Sequence, residues 1–147
     1  MFWIGGTKAG ALLGEAIIIP NPDLAIDFGF HIKQKGALLA KGCLLGLQFK
    51  TLFEDGLYFR ASRQANDFAA QLSNAFTKAG FDFANPTQTN QLFPILPDKL
   101  IDRLQENFDF YIWERREDNQ SVIRMVTSWA TDPEQVKAFI DQLDHKV

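Results

Sequence analysis

The chain has 147 residues, enough for one domain with a sizeable core or for a small domain with part of another, but not for two full domains. Its composition, 46% hydrophobic and 22% charged, is typical of a packed globular chain and argues against disorder. The formal net charge of −3 provides no basic surface for a phosphate backbone, so we expect no nucleic-acid partner.

Targeting signals are not evident in the sequence. No basic segment precedes the first apolar run, and the longest nearly uncharged run, residues 42–49, is far too short for a membrane span. We therefore expect a cytoplasmic protein with no membrane partner. The single Cys43 cannot form an internal disulfide, and its apolar neighbours predict a buried thiol.

The chain begins with the apolar run Phe2–Ile4, followed by Gly5-Gly6, Thr7 and Lys8. Strand-forming residues before two glycines predict the end of a buried strand, where the missing Cβ atoms allow close approach to the backbone. Lys8 would then lie at the rim of a cleft. A partly desolvated lysine there is a usable amine nucleophile that can form a Schiff base with a carbonyl cofactor. A solvated lysine after a turn is the alternative.

The next elements are a second strand and two helices. Residues 15–19 include three consecutive β-branched isoleucines and are followed by Pro20, which predicts a strand. Both strands are expected to be buried and to lack their neighbours, so this end should be frayed, rearranged or bound to another chain. A proline-initiated helix is predicted from Pro22 to about Lys35. A second helix, residues 37–54, is apolar on nearly every face, which predicts burial on all sides.

The rest of the chain has the pattern of an α+β domain. An amphipathic helix is predicted over residues 57–78, with Phe59 on its apolar face and Gly80 at its end. Three strands follow, together with two helices that each begin at a proline. The pattern predicts a mainly antiparallel sheet, with the boundary between the two parts of the chain near Gly56. The predicted strands cover residues 92–96, 108–113 and 121–128, and the helices cover residues 97–106 and 133–143.

Arg124 lies in the last predicted strand among apolar neighbours. Its planar fork of donors is suited to bind a carboxylate through two parallel hydrogen bonds, but a cross-strand ion pair with Glu114 or Asp109 is equally compatible with the pattern. Trp113 and Trp129 are expected in the core.

Metal ligands are not indicated by the sequence. The two histidines, His31 and His145, are far apart and have no ligand at a metal-binding spacing, so we expect no metal site.

Three segments occur in a recognisable order: Gly5–Lys8, the basic segment Lys33–Lys41 and Ile123–Thr131. Together they resemble the C-terminal part of a low-specificity threonine aldolase, of the β-eliminating lyase family with the aspartate-aminotransferase fold. The resemblance covers essentially the whole chain, and the Arg-x-Val-Thr-Ser-Trp-Ala-Thr stretch is its most specific piece. Members of that family are more than twice as long, so the sequence is expected to be a truncated gene, a fragment or one half of a split enzyme.

The resemblance also implies a cofactor and site residues. Pyridoxal 5'-phosphate would be held by Lys8, with Thr7 beside it and Lys41 near the phosphate, and Arg124 would hold the substrate carboxylate. Residues 1–56 would be the remnant of the cofactor-binding large domain with its interface helices, and residues 57–147 the small domain. Cys43 and Ala9 stand where the family commonly has arginine and asparagine. A cysteine cannot supply a guanidinium, so either Lys41 replaces it or the phosphate site is weakened.

The implied activity is the cleavage of β-hydroxy amino acids, threonine or allo-threonine, to glycine and an aldehyde. The implied partners are further copies of the chain, as a dimer or tetramer, or a complementing N-terminal half. Without that half we expect no activity, because other cofactor-binding groups of the family lie upstream of Lys8. Two alternatives stay open: another lyase or aminotransferase of the same fold, and an oligomerising domain without catalysis.

Overall fold

The computed structural model describes residues 1–144, so His145 lies outside the described residues. The chain divides into two compact units, one spanning Met1–Ala61 and one beginning at Ser62. The division at residue 56 into a large-domain remnant and a small domain stays a prediction, because compactness alone defines these units. In chain order the elements are β1 (Phe2–Gly5), β2 (Glu15–Ile18), α1 (Phe28–Gln34), α2 (Cys43–Phe53), α3 (Leu57–Lys78), β3 (Gln91–Leu92), β4 (Ile95–Pro97), α4 (Asp98–Gln105), β5 (Tyr111–Arg115), β6 (Gln120–Val126) and α5 (Pro133–Asp144).

The first unit begins with a two-stranded antiparallel sheet. Strands β1 and β2 pair along their whole lengths, with Phe2 opposite Ile18. The predicted burial of these strands is wrong for the described chain, since Trp3 is 64% exposed and Ile17 is about half exposed. Two strands satisfy each other's inner hydrogen bonds but are too few to cover large side chains on both faces.

The helix predicted from Pro22 to about Lys35 is interrupted in the structure. Asn21 caps it as expected, because its Oδ1 accepts a hydrogen bond from the Asp23 N–H at 2.9 Å. Only a short 3-10 turn follows, and Asp27 then adopts a left-handed φ of 56° before α1 begins. Helical periodicity does not reveal such a break, which aspartate tolerates better than most residues.

Helix α2 begins at Cys43 rather than near Ala37, and it is far more exposed than predicted. Leu44 and Leu47 are each 60% exposed, and Leu52 is the buried side chain of this helix. A helix that is apolar on nearly every face needs a neighbouring layer on each side, and the first unit is too small to provide them. The prediction of a buried Cys43 is therefore wrong for the described chain, and burial of this helix on all sides would need surfaces that the first unit does not provide.

Helix α3 is the long amphipathic helix that the sequence predicts. Phe68, Leu72 and Phe76 are buried along one stripe at a spacing of four residues. Gly80 follows the helix with a φ of 86°, a conformation that glycine adopts without a steric penalty. Phe59 is exposed instead of lying in this stripe, because the core of the second unit begins at Phe68.

An antiparallel sheet in the second unit is built around β6. This strand pairs with β3, β4 and β5. The single strand predicted over residues 92–96 is two short strands, because Pro94 has no N–H group to continue the ladder. The Pro94 carbonyl instead accepts a hydrogen bond from the Ile123 N–H at 3.1 Å. The mainly antiparallel α+β fold class is confirmed.

The core of the second unit combines side chains from α3, α4, α5 and the sheet. Phe76, Leu104 and Ile123 are fully buried in it, and Phe139 is nearly so. The Phe76 and Phe139 rings meet edge to face with their centroids 5.7 Å apart, a preferred geometry for aromatic pairs. The many phenylalanines of the sequence thus supply much of this core. No helix within residues 1–144 is long and apolar enough to cross a membrane.

Candidate functional site

The Lys8 segment is a tight turn between β1 and β2. A 3-10 turn spans Thr7–Ala9, and the N–H groups of Ala9 and Ala11 both donate to the Gly6 carbonyl at 3.0 Å. Ala9 and Ala11 are buried, whereas Lys8 is exposed. The turn therefore presents the lysine side chain while its neighbours anchor the backbone.

At Gly6 the backbone of the turn packs closely against Ala11 and against Phe49 of α2. A Cβ atom at this position would lie 2.6 Å from the Cβ of Ala11 and 3.0 Å from Cζ of Phe49 in α2. The same addition at Gly5 would meet nothing within 4 Å. Other side chains therefore approach the backbone closely at Gly6, as predicted, but not at Gly5.

Side chains from α2 and from the start of α3 form hydrogen bonds with the backbone on either side of the lysine turn. Oε1 of Gln48 accepts a hydrogen bond from the Leu12 N–H at 2.7 Å, and the Tyr58 hydroxyl donates to the Gly5 carbonyl at 3.1 Å. Neither residue was predicted from the sequence. Gln48 had one usable signal, since it is a polar residue within the otherwise apolar run of residues 43–49.

Lys41 lies in the turn that leads into α2. Its carbonyl accepts a hydrogen bond from the Leu44 N–H at 3.1 Å, and its side chain is exposed. Within residues 1–144, the ammonium groups of Lys8 and Lys41 have no ionic or hydrogen-bonding partner. Thr7, Lys8 and Lys41 all belong to the first unit, whereas Arg124 belongs to the second.

Arg124 is half-buried on β6 and lies opposite Tyr111 of β5. Its Nε–H donates to Oε1 of Gln91 at 3.0 Å, and its Cζ atom lies 5.8 Å from the centre of the Trp113 ring. The alternative ion pair with Glu114 does not form among the described residues. Oε1 of Glu114 instead lies 3.7 Å from Nε of Arg116.

Trp113 contributes to this surface rather than to the core. It is 61% exposed, and Trp129 is 51% exposed, so the prediction that both tryptophans are core residues is wrong. Trp113 falls at a register shift in the pairing of β5 with β6, and its ring packs edge to face against Phe93. Bulges of this kind redirect side chains, and helical or strand periodicity does not reveal them.

The end of β6 is fixed by a network that the sequence did not reveal. The buried hydroxyl of Thr127 donates to the Ala65 carbonyl at 2.7 Å, and Nδ2 of Asn90 donates to the Thr127 carbonyl at 2.7 Å. The next turn is closed by the Ser128 N–H, which donates to Oγ1 of Thr131 at 2.8 Å. The Thr-Ser-Trp-Ala-Thr stretch therefore anchors the strand that carries Arg124.

Metal binding finds no support among the described residues. Within residues 1–144, no group of three or more His, Cys, Asp and Glu side chains could hold a metal ion.

These features define an α+β chain. One unit carries Lys8 on a turn that is fixed by backbone hydrogen bonds, and the other carries Arg124 on a strand that is anchored by hydrogen bonds at its end. No family model matches the sequence. The low specificity L-threonine aldolase of Pseudomonas sp. (strain NCIMB 10558) is 31% identical over 135 residues, which cover 90% of this chain and 38% of that relative. The Pseudomonas aeruginosa protein of the same description is 32% identical over the same shares.

A solved structure gives the same result for the fold. The threonine aldolase of Leishmania major matches with a TM-score of 0.93 and 43% identity over 97% of this chain and 42% of that one. In sequence and in fold, the chain therefore matches the C-terminal portion of the threonine aldolases, and the predicted resemblance is confirmed. The chain spans about two fifths of the length of these relatives.

The two neighbouring glycines allow a matched test of the lysine turn. We expect Gly6→Ala to disturb the turn, because its Cβ would overlap Ala11 and Phe49, and overpacking of this kind typically costs about 1–3 kcal/mol. Amide hydrogen exchange at Ala11 and Leu12 should accelerate. Gly5→Ala is the control and should leave both amides as protected as in the wild type. Equal protection in the two variants contradicts the close approach at Gly6.

Proposed function

We propose that this chain forms the C-terminal part of a pyridoxal-phosphate-dependent lyase of the threonine aldolase type. Such an enzyme cleaves a β-hydroxy amino acid, such as threonine, to glycine and an aldehyde. The observation that carries the proposal is the match to the Leishmania major threonine aldolase over 97% of this chain at 43% identity.

Lys8 fits the attachment of the cofactor. Its amine is exposed on a turn whose backbone is fixed at Gly6, Ala9 and Ala11, and it has no competing partner within residues 1–144. A free primary amine held on a rigid backbone can bond covalently to a carbonyl. Pyridoxal phosphate, once bound, supplies the electron-accepting ring that this cleavage requires.

Thr7 and Lys41 are the proposed further cofactor ligands in this chain. Thr7 precedes the attachment lysine within the same 3-10 turn, and Lys41 provides an exposed cation at the entrance to α2. A cation of this kind suits a phosphate group as a point charge. Cys43 supplies no cation, so Lys41 has the larger part in the proposed phosphate contact.

Arg124 is the proposed carboxylate ligand. Its Nε is occupied by Gln91, whereas its two Nη groups have no partner within residues 1–144. Two Nη groups form a planar pair of donors that matches the two oxygens of a carboxylate. Binding the carboxylate there would fix the orientation of the substrate, and alignment of this kind lowers the entropic part of the barrier.

Lys8 can be tested in a chimera in which this chain replaces the corresponding segment of the Pseudomonas aeruginosa relative. We expect Lys8→Ala to lower threonine cleavage by at least about 10³-fold, because loss of a covalent nucleophile is among the most damaging changes in an active site. Borohydride reduction followed by peptide mass spectrometry should find the cofactor on Lys8. Lys41→Ala is the control and should weaken cofactor affinity while keeping attachment at Lys8.

The isolated 147-residue chain provides a second arm of this test. Lys8 is as exposed as an ordinary surface lysine, so pyridoxal phosphate should label the chain's lysines weakly and without preference. A tight complex that survives dialysis and disappears in Lys8→Ala contradicts this expectation. Wild-type labelling in the Lys8→Ala chimera contradicts the proposed role of Lys8.

Arg124 can be tested in the same chimera. Arg124→Ala should lower kcat/KM for threonine by roughly 10² or more, because each charge-assisted hydrogen bond contributes about 1.5–3 kcal/mol. Arg124→Lys keeps the charge but loses the planar pair, so its kcat/KM should fall between those of Arg124→Ala and the wild type. Cofactor attachment at Lys8 should be unchanged in both. If Arg124 has only a structural role, the melting temperature falls and kcat/KM of the folded fraction stays near the wild-type value.

Self-association through the first unit is the last part of the proposal. Leu38, Leu39, Leu44 and Leu47 expose at least half of their surface, and about 25 cal/mol for each Å² of apolar area buried makes a patch of several hundred Å² worth several kcal/mol. Light scattering at micromolar concentration should find an oligomer. Leu44→Gln with Leu47→Gln should shift it towards monomer, whereas Lys50→Gln on the same helix should not. A monomeric wild type contradicts this part.

A further inference from the structure

The guanidinium of Arg124 is held at its edge by an uncharged side chain. Gln91 of β3 lies opposite Val126, two residues along β6 from Arg124. Because side chains alternate along a strand, Gln91 and Arg124 are on the same face of the sheet. Oε1 of Gln91 accepts the Nε–H of Arg124 at 3.0 Å.

The same guanidinium also lies over an aromatic ring. Its Cζ atom is 5.8 Å from the centre of the Trp113 ring, within the range of a cation–π contact. The Trp113 ring is in turn packed edge to face against Phe93, with a centroid distance of 5.5 Å. The guanidinium is therefore restrained both at Nε and over one face.

These restraints select one of two ways to bind a carboxylate. A guanidinium can offer two parallel hydrogen bonds from Nε and one Nη, or from the two Nη groups. Gln91 occupies Nε, which leaves the second way. Because the amide oxygen of Gln91 carries no charge, this hydrogen bond orients Arg124 without cancelling its positive charge. A glutamate at this position would keep the hydrogen bond but would bring its own carboxylate to the cation.

We infer that Gln91 is a positioning residue for Arg124: it fixes the guanidinium through Nε and leaves both Nη groups, with their full charge, for the carboxylate of an amino acid. The inference rests on the proposed carboxylate-binding role of Arg124. It adds a second requirement to that role, namely that the residue bonded to Nε be neutral. Trp113 supports the same orientation from the face of the guanidinium.

The test uses the 147-residue chain and the side-chain Nε–H NMR signal of Arg124, identified by its loss in Arg124→Lys. The chain is titrated with glycine, which has a carboxylate and an amine, and with glycinamide, which has the amine only. Three variants are compared with the wild type. Gln91→Ala removes the acceptor, Gln91→Glu keeps it and adds a charge, and Gln71→Glu adds the same charge at an exposed position of α3.

Glycine should perturb the Arg124 signal of the wild type, and glycinamide should not. Gln91→Ala should raise the dissociation constant for glycine about three- to tenfold, the factor expected when one long side chain must be ordered on binding. Gln91→Glu should raise it more than tenfold, because two carboxylates then compete for one cation. Gln71→Glu should stay within about twofold, because exposed charges are strongly screened.

Stability distinguishes positioning from a merely structural contact. In Gln91→Glu the urea midpoint should be unchanged or higher, since an ion pair replaces a hydrogen bond to an uncharged acceptor, while the affinity for glycine falls. If the Gln91 variants bind glycine with the same dissociation constant as the wild type, the inference is wrong. The proposed role of Arg124 then still stands. If glycine and glycinamide act alike on the wild-type signal, the carboxylate role of Arg124 fails, and the inference fails with it.

Discussion

The second unit depends on the hydrogen-bond register of β6, because each of its other described strands pairs with this one. Ile123 enters the core and Arg124, the next residue, lies on the opposite face. A slip of one residue would exchange these faces, burying a guanidinium and exposing an isoleucine. The buried hydrogen bond from Thr127 to the Ala65 carbonyl pins the end of the strand against such a slip. The register that builds the core therefore also determines where Arg124 lies.

The first unit depends on a different constraint, the contact of Gly6 with Ala11 and Phe49. This contact brings the turn against α2, whose Gln48 then satisfies the Leu12 N–H. Much of the remaining apolar surface of α2 stays exposed. A small number of specific contacts thus fixes the lysine turn in a unit that is too small to bury its own apolar side chains.

Sequence reasoning succeeded where one periodicity dominates and failed where a single residue breaks it. The stripe of Phe68, Leu72 and Phe76 identified α3, because apolar residues recur at helical spacing over several turns with polar residues between them. The left-handed Asp27 split a predicted helix. Pro94 likewise split a predicted strand, and it could have been recognised, since proline interrupts a ladder wherever it falls.

The sequence was sufficient to predict which residues belong to the candidate site, but not which residues contact them. Lys8 and Arg124 were singled out from their motifs, whereas Gln48, Tyr58 and Gln91 act through partners at least 33 residues away in the chain. No local pattern encodes such long-range pairs. The exposure of α2 has the same origin. An apolar sequence predicts that a helix is buried against neighbouring elements, but it does not show whether the same chain provides those elements.

The two candidate residues share one arrangement. Lys8 is fixed through its backbone, by hydrogen bonds to the Gly6 carbonyl around it, and Arg124 is fixed through Nε and the Trp113 ring. In each case the chemically active end has no partner among the described residues. A carboxylate partner would hold either side chain more strongly, but it would occupy the donors and lower the positive charge that a ligand needs. Neutral groups that restrain the side chain or its backbone away from the ligand-binding atoms fix its position and leave its donors and positive charge available. A glutamine bonded to Nε of Arg124 therefore suits a binding role better than the ion pair considered from the sequence.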